Sequence, residues 1–346
     1  MAKLSGTIGK SFHGKKIVIV GDLVADQFLR GTIARVSREA PVFILRHDET
    51  ETLAGGAANA AINVASLGGA ATLVGLVGDD SNGNALLEKL RRANVDCGFV
   101  IAAEKYQTTT KIRVLAGQHY APRQQVIRID YENREPIADE AQNKLKQNFL
   151  TAVKDADAII VSDYNYGVAN ALNAEITERI TERKSVPVLV DSRFHLRNFS
   201  GATTATPNQE EVEQILGKDF TEADCAELRQ NLGLESLLIT RGNKGMLLIE
   251  KNRASAVSFP AVGATEPIDV TGAGDTVIAA YALGLASGLS FFDAATVANH
   301  AGGIVVMKKG TAAVGFEELL SSIEKTEQSE FNAKAIESDY ESNKFD

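Results

Sequence analysis

The chain has 346 residues, 44% of them hydrophobic and 23% charged, with a formal net charge of −9. That length holds a large core, in one α/β domain or two smaller ones, and the acidic balance argues against a mainly electrostatic partner such as nucleic acid or an anionic membrane. Two distant cysteines outside any C-x-x-C, no apolar run of membrane-spanning length and an N-terminus "MAKLSGTIGKSFHGKK" without the apolar core of a secretory signal lead to the expectation of a reducing, cytoplasmic setting.

"KKIVIVGD" (15–22) is a β-branched run ending in Gly-Asp and reads as a buried first strand. Residues 28–52 mix β-formers with charges around Pro41, the mark of exposed, edge-like β structure. "GGAANAAINVASLGG" (55–69) places Ala57, Ala60, Ala61, Val64 and Leu67 on one helical face, and Gly68-Gly69 ends the helix. A buried strand over 71–80 and a helix over 81–95, capped near Ser81 or Asn82, follow. Residues 107–131 make a second excursion into two polar strands around a loop. Strands at 157–163, 186–192 and 202–208 then alternate with helices around 169–184 and 209–216. Strands at 235–242 and 244–250 precede helices from about 273 to 287 and 292 to 308. This alternation predicts an α/β fold, a doubly wound, mostly parallel sheet flanked by helices, with the polar excursions forming a small β lid at one edge. We expect one domain over 1–325, with lid insertions at about 28–53 and 106–132. The last 26 residues hold seven acids and three bases, so 326–346 is expected to be an acidic, solvated tail.

Chemistry concentrates in "DVTGAGDT" (269–276). Its glycines fall at the N-terminus of a predicted helix, where unpaired N–H groups and the positive dipole end favour an anion. A phosphate loop would carry a lysine next, but Asp275 stands there. Asp275 is either an ordinary first-turn acid or a base beside a phosphate, and the flanking "DVT" and "DT" favour the second reading. Phosphoryl transfer needs both charge stabilisation and a group that orients the nucleophile, and one turn can supply the two. "GGAAN" (55–59) fits a close helix–strand crossing as well as a ligand contact through Asn59. In "TPNQEEVEQILG" (206–217), Asn208 and Glu211 favour a capping box over the alternative of organising Mg²⁺ through water. "TRGNKG" (240–245) is a hairpin turn or the rim of a nucleotide site. Lys111, Arg113 and, across a loop, Arg128 suit one strand face, either as lid surface or as a site for a second phosphate; Arg123 lies nearby. The five histidines (13, 47, 119, 195 and 300) have no metal-ligand spacing, and the first strand is not followed by G-x-G-x-x-G.

"GGAANAAINVASLGG" and "DVTGAGDT", in that order and far apart, resemble the ribokinase-like (PfkB) family of sugar and nucleoside kinases over roughly 15–320. "RVSREAPV", "TKIRVL", "QQVIRID", "VSDYNYG" and "AGGIVVMKKGTA" are most similar to its heptose 7-phosphate kinases, the kinase module of ADP-heptose synthesis. The resemblance implies ATP, Mg²⁺ and in some relatives K⁺, with transfer of the γ-phosphoryl to O1 of D-glycero-D-manno-heptose 7-phosphate. It implies Asp275 as base and the amides of Gly272, Ala273 and Gly274 as anion hole. Asn208 and Glu211 would serve Mg²⁺ and phosphates. Thr240, Gly242, Gly245 and Asn299 would line the ATP site, with Asn299 near the adenine. Asp22, Gly55, Gly56 and Asn59 would hold sugar hydroxyls, with Lys111, Arg113 and Arg128 as candidates for the existing phosphate. Asp269 and Thr271 would lie at a monovalent-cation site. The lid would pair two subunits into a homodimer. Departures stand at Arg38, Tyr166 and Ser192-Arg193-Phe194, where heptose kinases read "SPEAP", "DYAKG" and "DPKG". Many relatives carry a fused cytidylyltransferase-like domain, and its absence from this sequence leads to the expectation of kinase activity alone. A kinase of another sugar or nucleoside, such as fructose, ribose or a fructose phosphate, and a silent ligand-binding protein are the alternatives.

Overall fold

The computed structural model describes residues 3–118, 123–133, 136–182, 186–263 and 266–342; His119, part of the second lid loop, the end of the helix expected to reach 184 and the last four residues of the tail lie outside them. The chain opens with helix α1 (Leu4–Ser11) and strand β1 (Lys16–Gly21), then two long strands, β2 (Leu23–Val36) and β3 (Phe43–Gly56). Helix α2 (Ala57–Ser66), β4 (Ala70–Gly78), α3 (Ser81–Arg92), β5 (Asp96–Ala103), β6 (Thr110–Gly117) and β7 (Gln124–Tyr131) follow. After them come α4 (Asp139–Ala152), β8 (Ala158–Asp163), α5 (Val168–Ala171), α6 (Asn173–Glu182), β9 (Val188–Ser192) and the two-residue β10 (Thr204–Ala205). The last part contains α7 (Gln209–Leu216), α8 (Glu222–Asn231), β11 (Ser236–Thr240), β12 (Met246–Glu250), β13 (Val257–Phe259), α9 (Ala273–Ala286), α10 (Phe291–Val305) and α11 (Phe316–Ser342).

Nine strands form one sheet in the order β13-β12-β11-β10-β9-β8-β1-β4-β5. Seven are parallel, and the β11–β12–β13 edge is antiparallel. The side-chain period of two sends Ile17 and Ile19 to one face, with α2, α9 and α10, and Val18 and Val20 to the other, with α4, α6 and α8. Strand order reverses where β1 lies between β8 and β4, so a crevice opens at the carboxyl ends of these strands. The second sheet, β3-β2-β6-β7, rises from that end, joined by parallel pairing of β2 with β6.

Several local expectations change. Asp80, not Ser81 or Asn82, caps α3, its carboxylate accepting from the Gly83 N–H. The helix around 169–184 breaks at Leu172 into α5 and α6. Helices α1, α4 and α8 and strands β5 and β13 carried too weak a signal among polar neighbours to be read. Helix α11 runs unbroken across residue 325, and the Ser5 hydroxyl donates to Glu327 at 2.7 Å, so the acidic segment begins as packed helix. His300 lies inside α10, its Nδ1 2.8 Å from the Ser322 hydroxyl.

Candidate active site

Helix α9 (Ala273–Ala286) starts with a run of small residues after the 269–272 turn. Gly272, its N-cap, has φ +77°, a left-handed conformation that favours glycine, and lets the loop turn into the helix against Asn59. The N–H groups of Gly272, Gly274 and Asp275 have no partner among the described residues, whereas Ala273 donates to the Val270 carbonyl at 3.2 Å. The free amides are therefore those of 272, 274 and 275, which corrects the expected 272–274 set: the tight turn at Val270 already uses the Ala273 amide.

Two cavities meet at this terminus. One, of about 160 Å³, is an apolar slot lined by Thr240, Gly242, Gly245, Val262, Val277 and Asn299 among others, with Ala273 and Gly274 at its inner end. Of the six residues expected to bind ATP, Thr240, Gly242, Gly245 and Asn299 line this slot and Asn208 and Glu211 do not, and Asn299 donates to the Pro260 carbonyl at 2.8 Å. The other, of about 80 Å³, is polar, lined by Asp26, Gly56, Lys111, Arg113, Tyr164, Arg193, Thr271, Gly272, Asp275 and Thr311. One helix start thus separates a slot suited to a flat apolar ring from a cavity rich in charge.

Asp275 is buried in the polar cavity, with Asn59 Nδ2 donating to Oδ2 at 2.9 Å and the Tyr164 hydroxyl donating to Oδ1 at 2.8 Å. Burial raises its pKa to about 6, and these two donors oppose the rise. Asn59 therefore holds the carboxylate, in addition to any contact with a ligand. Lys111 is nine-tenths buried, has no ion-pair or hydrogen-bond partner among the described residues, and lies 5.4 Å from the Tyr166 ring centroid. Burial, then the charge of Arg193, lowers its pKa. Arg113 is tied to Asp26 by an ion pair. Arg128 shares the strand face but turns outward to a two-pronged contact with Asp130, 2.9 Å on each side, and does not line the cavity.

Asp22 has a different task from the one expected. Its buried carboxylate accepts from the backbone N–H groups of Tyr164, Tyr166 and Val168 at 2.9, 2.9 and 3.0 Å, so it holds a turn. Burial raises its pKa to about 6 despite these bonds. Gly55 makes room for Asp26, whose Oδ2 lies 2.6 Å from where a Cβ would stand. Gly56, by contrast, lines the cavity.

Asn208 and Glu211 form a reciprocal capping box at 2.9 Å each way, as the local pattern favoured. Thr240 N–H donates to the neighbouring Pro207 carbonyl, which places the box at the rim of the apolar slot. Burial raises the Glu211 pKa, and Asp191 lies well above the carboxylate range through burial and the charge of Glu211. Among the described residues no three His, Cys, Asp or Glu side chains cluster to hold a metal directly. Asp269 uses both carboxylate oxygens on the N–H groups of Thr271 and Gly310, at 2.9 Å each. Burial pushes its pKa up, but these bonds hold it below the ordinary value.

Tyr164, Asp26 and Thr311 line the polar cavity and were not read from the residues; Arg193, noted only as a departure, lines it too, and Asp191 lies near enough to feel the charge of Asp275. Tyr164 and Arg193 follow directly on the carboxyl ends of parallel strands β8 and β9, where ligands gather in such sheets; that rule was the available signal.

A helix N-terminus between a ring-sized slot and a charged cavity, with a buried carboxylate in its first turn, suits phosphoryl transfer, and the family match makes the chain a phosphotransferase that acts on a sugar hydroxyl. The chain belongs to the pfkB family of carbohydrate kinases, whose model matches residues 15–318. It is 40% identical over 317 residues to the "Bifunctional protein HldE" of Haemophilus influenzae strain Rd, covering 90% of this chain and 64% of that protein. The protein of the same name from Koribacter versatilis is 37% identical over 329 residues, covering 93% of this chain and 66% of the relative. Arabidopsis thaliana ribokinase, solved with ribose and ATP, superposes with a TM-score of 0.68 at 20% identity, covering 90% of this chain and 99% of its own. Phosphofructokinase-2 of Escherichia coli, solved with potassium, superposes with a TM-score of 0.71 at 17% identity over the same shares.

Proposed function

We propose that this kinase transfers the γ-phosphoryl group of ATP to O1 of D-glycero-D-manno-heptose 7-phosphate. The observation that carries the choice of a phosphorylated sugar is Lys111: a buried ammonium with no ion-pair or hydrogen-bond partner among the described residues, its nearby Asp26 and Asp130 being taken by Arg113 and Arg128, lines the cavity that holds Asp275. A buried charge is costly unless paired, so the cavity suits a substrate that brings its own phosphate. Arg193, which lines the same cavity, adds a second cation. In this reading the adenine occupies the apolar slot and the phosphates run towards the α9 amides. Asp275 takes the O1 proton as O1 bonds to the γ-phosphorus and the bond to the ADP oxygen breaks. The amides of 272, 274 and 275 and the helix dipole meet the developing charge. Closure of the lid would exclude water.

The donor set near Asn208 fits Mg²⁺ held largely by water and phosphate oxygens, since burial makes both Glu211 and Asp191 costly to ionise and the charge of Glu211 adds to the cost at Asp191. A monovalent cation would lie by the 269–271 loop. A cytoplasmic location and a single catalytic domain with an acidic C-terminal segment complete the proposal. No helix among the described residues is long and apolar enough to cross a membrane.

ADP release measured on a panel of heptose 7-phosphate, fructose, ribose and fructose phosphates tests the substrate. At least a hundredfold preference in kcat/KM for heptose 7-phosphate is expected. Equal turnover of unphosphorylated sugars would sink the assignment, and ligand binding without ADP release would leave a silent binding protein.

The lid also supports a homodimer. Val36, Val42 and Phe43 at the far end of β2 and β3, and Val126, Ile127 and Ile129 on the edge strand β7, expose large apolar surface. Light scattering is expected to give twice the chain mass, and Ile127→Lys with Ile129→Lys to give a monomer; a monomeric parent protein would end the proposal.

A further inference from the structure

We propose that Tyr164 is a positioning residue for Asp275, holding the carboxylate in its reactive orientation and in its ionised form through a hydrogen bond to Oδ1. The inference rests on Asp275 being the base. Tyr164 reaches Asp275 from the turn after β8, on the opposite side from Asn59. With one oxygen held by each donor, the carboxylate keeps a lone pair on either oxygen for an incoming hydroxyl.

Three observations show that the tyrosine is held in place and not merely nearby. Its backbone N–H is one of the three bound by the Asp22 carboxylate. The Arg193 guanidinium lies over its ring, 4.4 Å from the centroid. The opposite approach is left open by Gly56, at φ +59°, where a Cβ would come 3.4 Å from Tyr164 Cδ2 and 2.6 Å from the Asp22 carbonyl. An alanine there would strain the backbone and collide with the Asp22 carbonyl, next to the ring. Asp22 and Gly56, both expected to touch the sugar, thus also converge on the ring that orients the base.

The hydroxyl remains a donor throughout the working range, because burial and the neighbouring carboxylate raise its pKa well above the ordinary phenol value. The other charged groups facing Asp275 come from three elements: Asp26 on β2, Lys111 and Arg113 on β6, and Asp191 with Arg193 at the end of β9. Among the described residues only Asn59 and Tyr164 donate a side-chain hydrogen bond to it. Burial drives the carboxyl towards its neutral form, which cannot accept a proton from the sugar, and the two donors oppose that drift.

The test is Tyr164→Phe, which deletes the hydroxyl and keeps the ring under Arg193, with the pH profile of kcat read alongside the wild type and Asp275→Asn. The acidic limb is expected to move up by about one pH unit, the scale of one hydrogen bond to a charged group. Turnover should then fall about twofold at pH 7 and about fivefold at pH 6 and recover above pH 8, with KM for both substrates within twofold. An unmoved limb, or a loss of the same size at every pH, overturns the proposal. Should Asp275→Asn retain turnover, it is the base assignment that fails; should Asp275→Asn be inactive while the Tyr164→Phe limb stays in place, only the role of Tyr164 fails.

Discussion

Asp275→Asn is expected to lower kcat by about a thousandfold, within the range general-base catalysis contributes, and at the same time to raise the thermal midpoint at pH 8. Both effects have one cause. The carboxyl is buried, and its pKa stands at about 6 against 3.8 for the free side chain. Above pH 6 the folded protein must keep a charge that the unfolded chain holds more cheaply. Between 3.8 and about 6 the folded state binds the extra proton, so this group's favourable contribution is present at low pH and is lost as pH rises through that window. The gap corresponds to about 3 kcal/mol at pH 8, an upper figure for what a neutral isostere recovers. Asparagine keeps an oxygen for Asn59 and offers the Tyr164 hydroxyl a donor. Calorimetry of both proteins at pH 5 and pH 8 checks this: the variant's advantage should appear at pH 8 and shrink towards pH 5. Retained turnover would remove Asp275 as base, and an equal or lower midpoint at pH 8 would mean that burial is not what sets its pKa.

Lys111→Met is expected to raise KM for heptose 7-phosphate about a hundredfold, while KM for ATP changes less than twofold. A charge-assisted contact with phosphate in a buried site is worth about 1.5–3 kcal/mol per bond. The methionine keeps most of the side-chain volume beside Tyr166, so packing is conserved. Without substrate the lysine is a buried cation lacking a partner among the described residues, so the variant should be at least as stable as the parent. Steady-state kinetics with both substrates varied, and a melting curve without ligand, read the two halves separately. A rise in KM for ATP instead would place Lys111 on the nucleotide side. An unchanged KM for heptose 7-phosphate would remove it from substrate recognition.

The parts of the fold legible in the sequence were those whose signal is local. The α9 boundary, the capping box at Asn208 and the buried run of β1 follow from neighbouring residues, and each lies within a residue or two of expectation. Long-range choices were not legible. The resemblance placed Asp22 among the sugar contacts, and its structural task was not legible: the turn at 164–168, more than 140 residues away, has three N–H groups that need an acceptor. Arg128 had the right periodicity, yet Asp130, two residues on and on the same face, captures it. Tyr164 was invisible as a site residue because its meaning depends on Asp275, 111 positions further along.

The parallel seam between β2 and β6 has a consequence in time. It joins segments whose Asp26 and Arg113 are 87 residues apart, and α2, β4, α3 and β5 must first be made between them. Closing so long a stretch is entropically slow, so the seam belongs to the later events of folding. The α9 terminus emerges more than 150 residues later still. A nascent chain therefore has the cationic wall of β6 well before Asp275, and it lacks the carboxylate that would activate a hydroxyl until the start of α9 has been made.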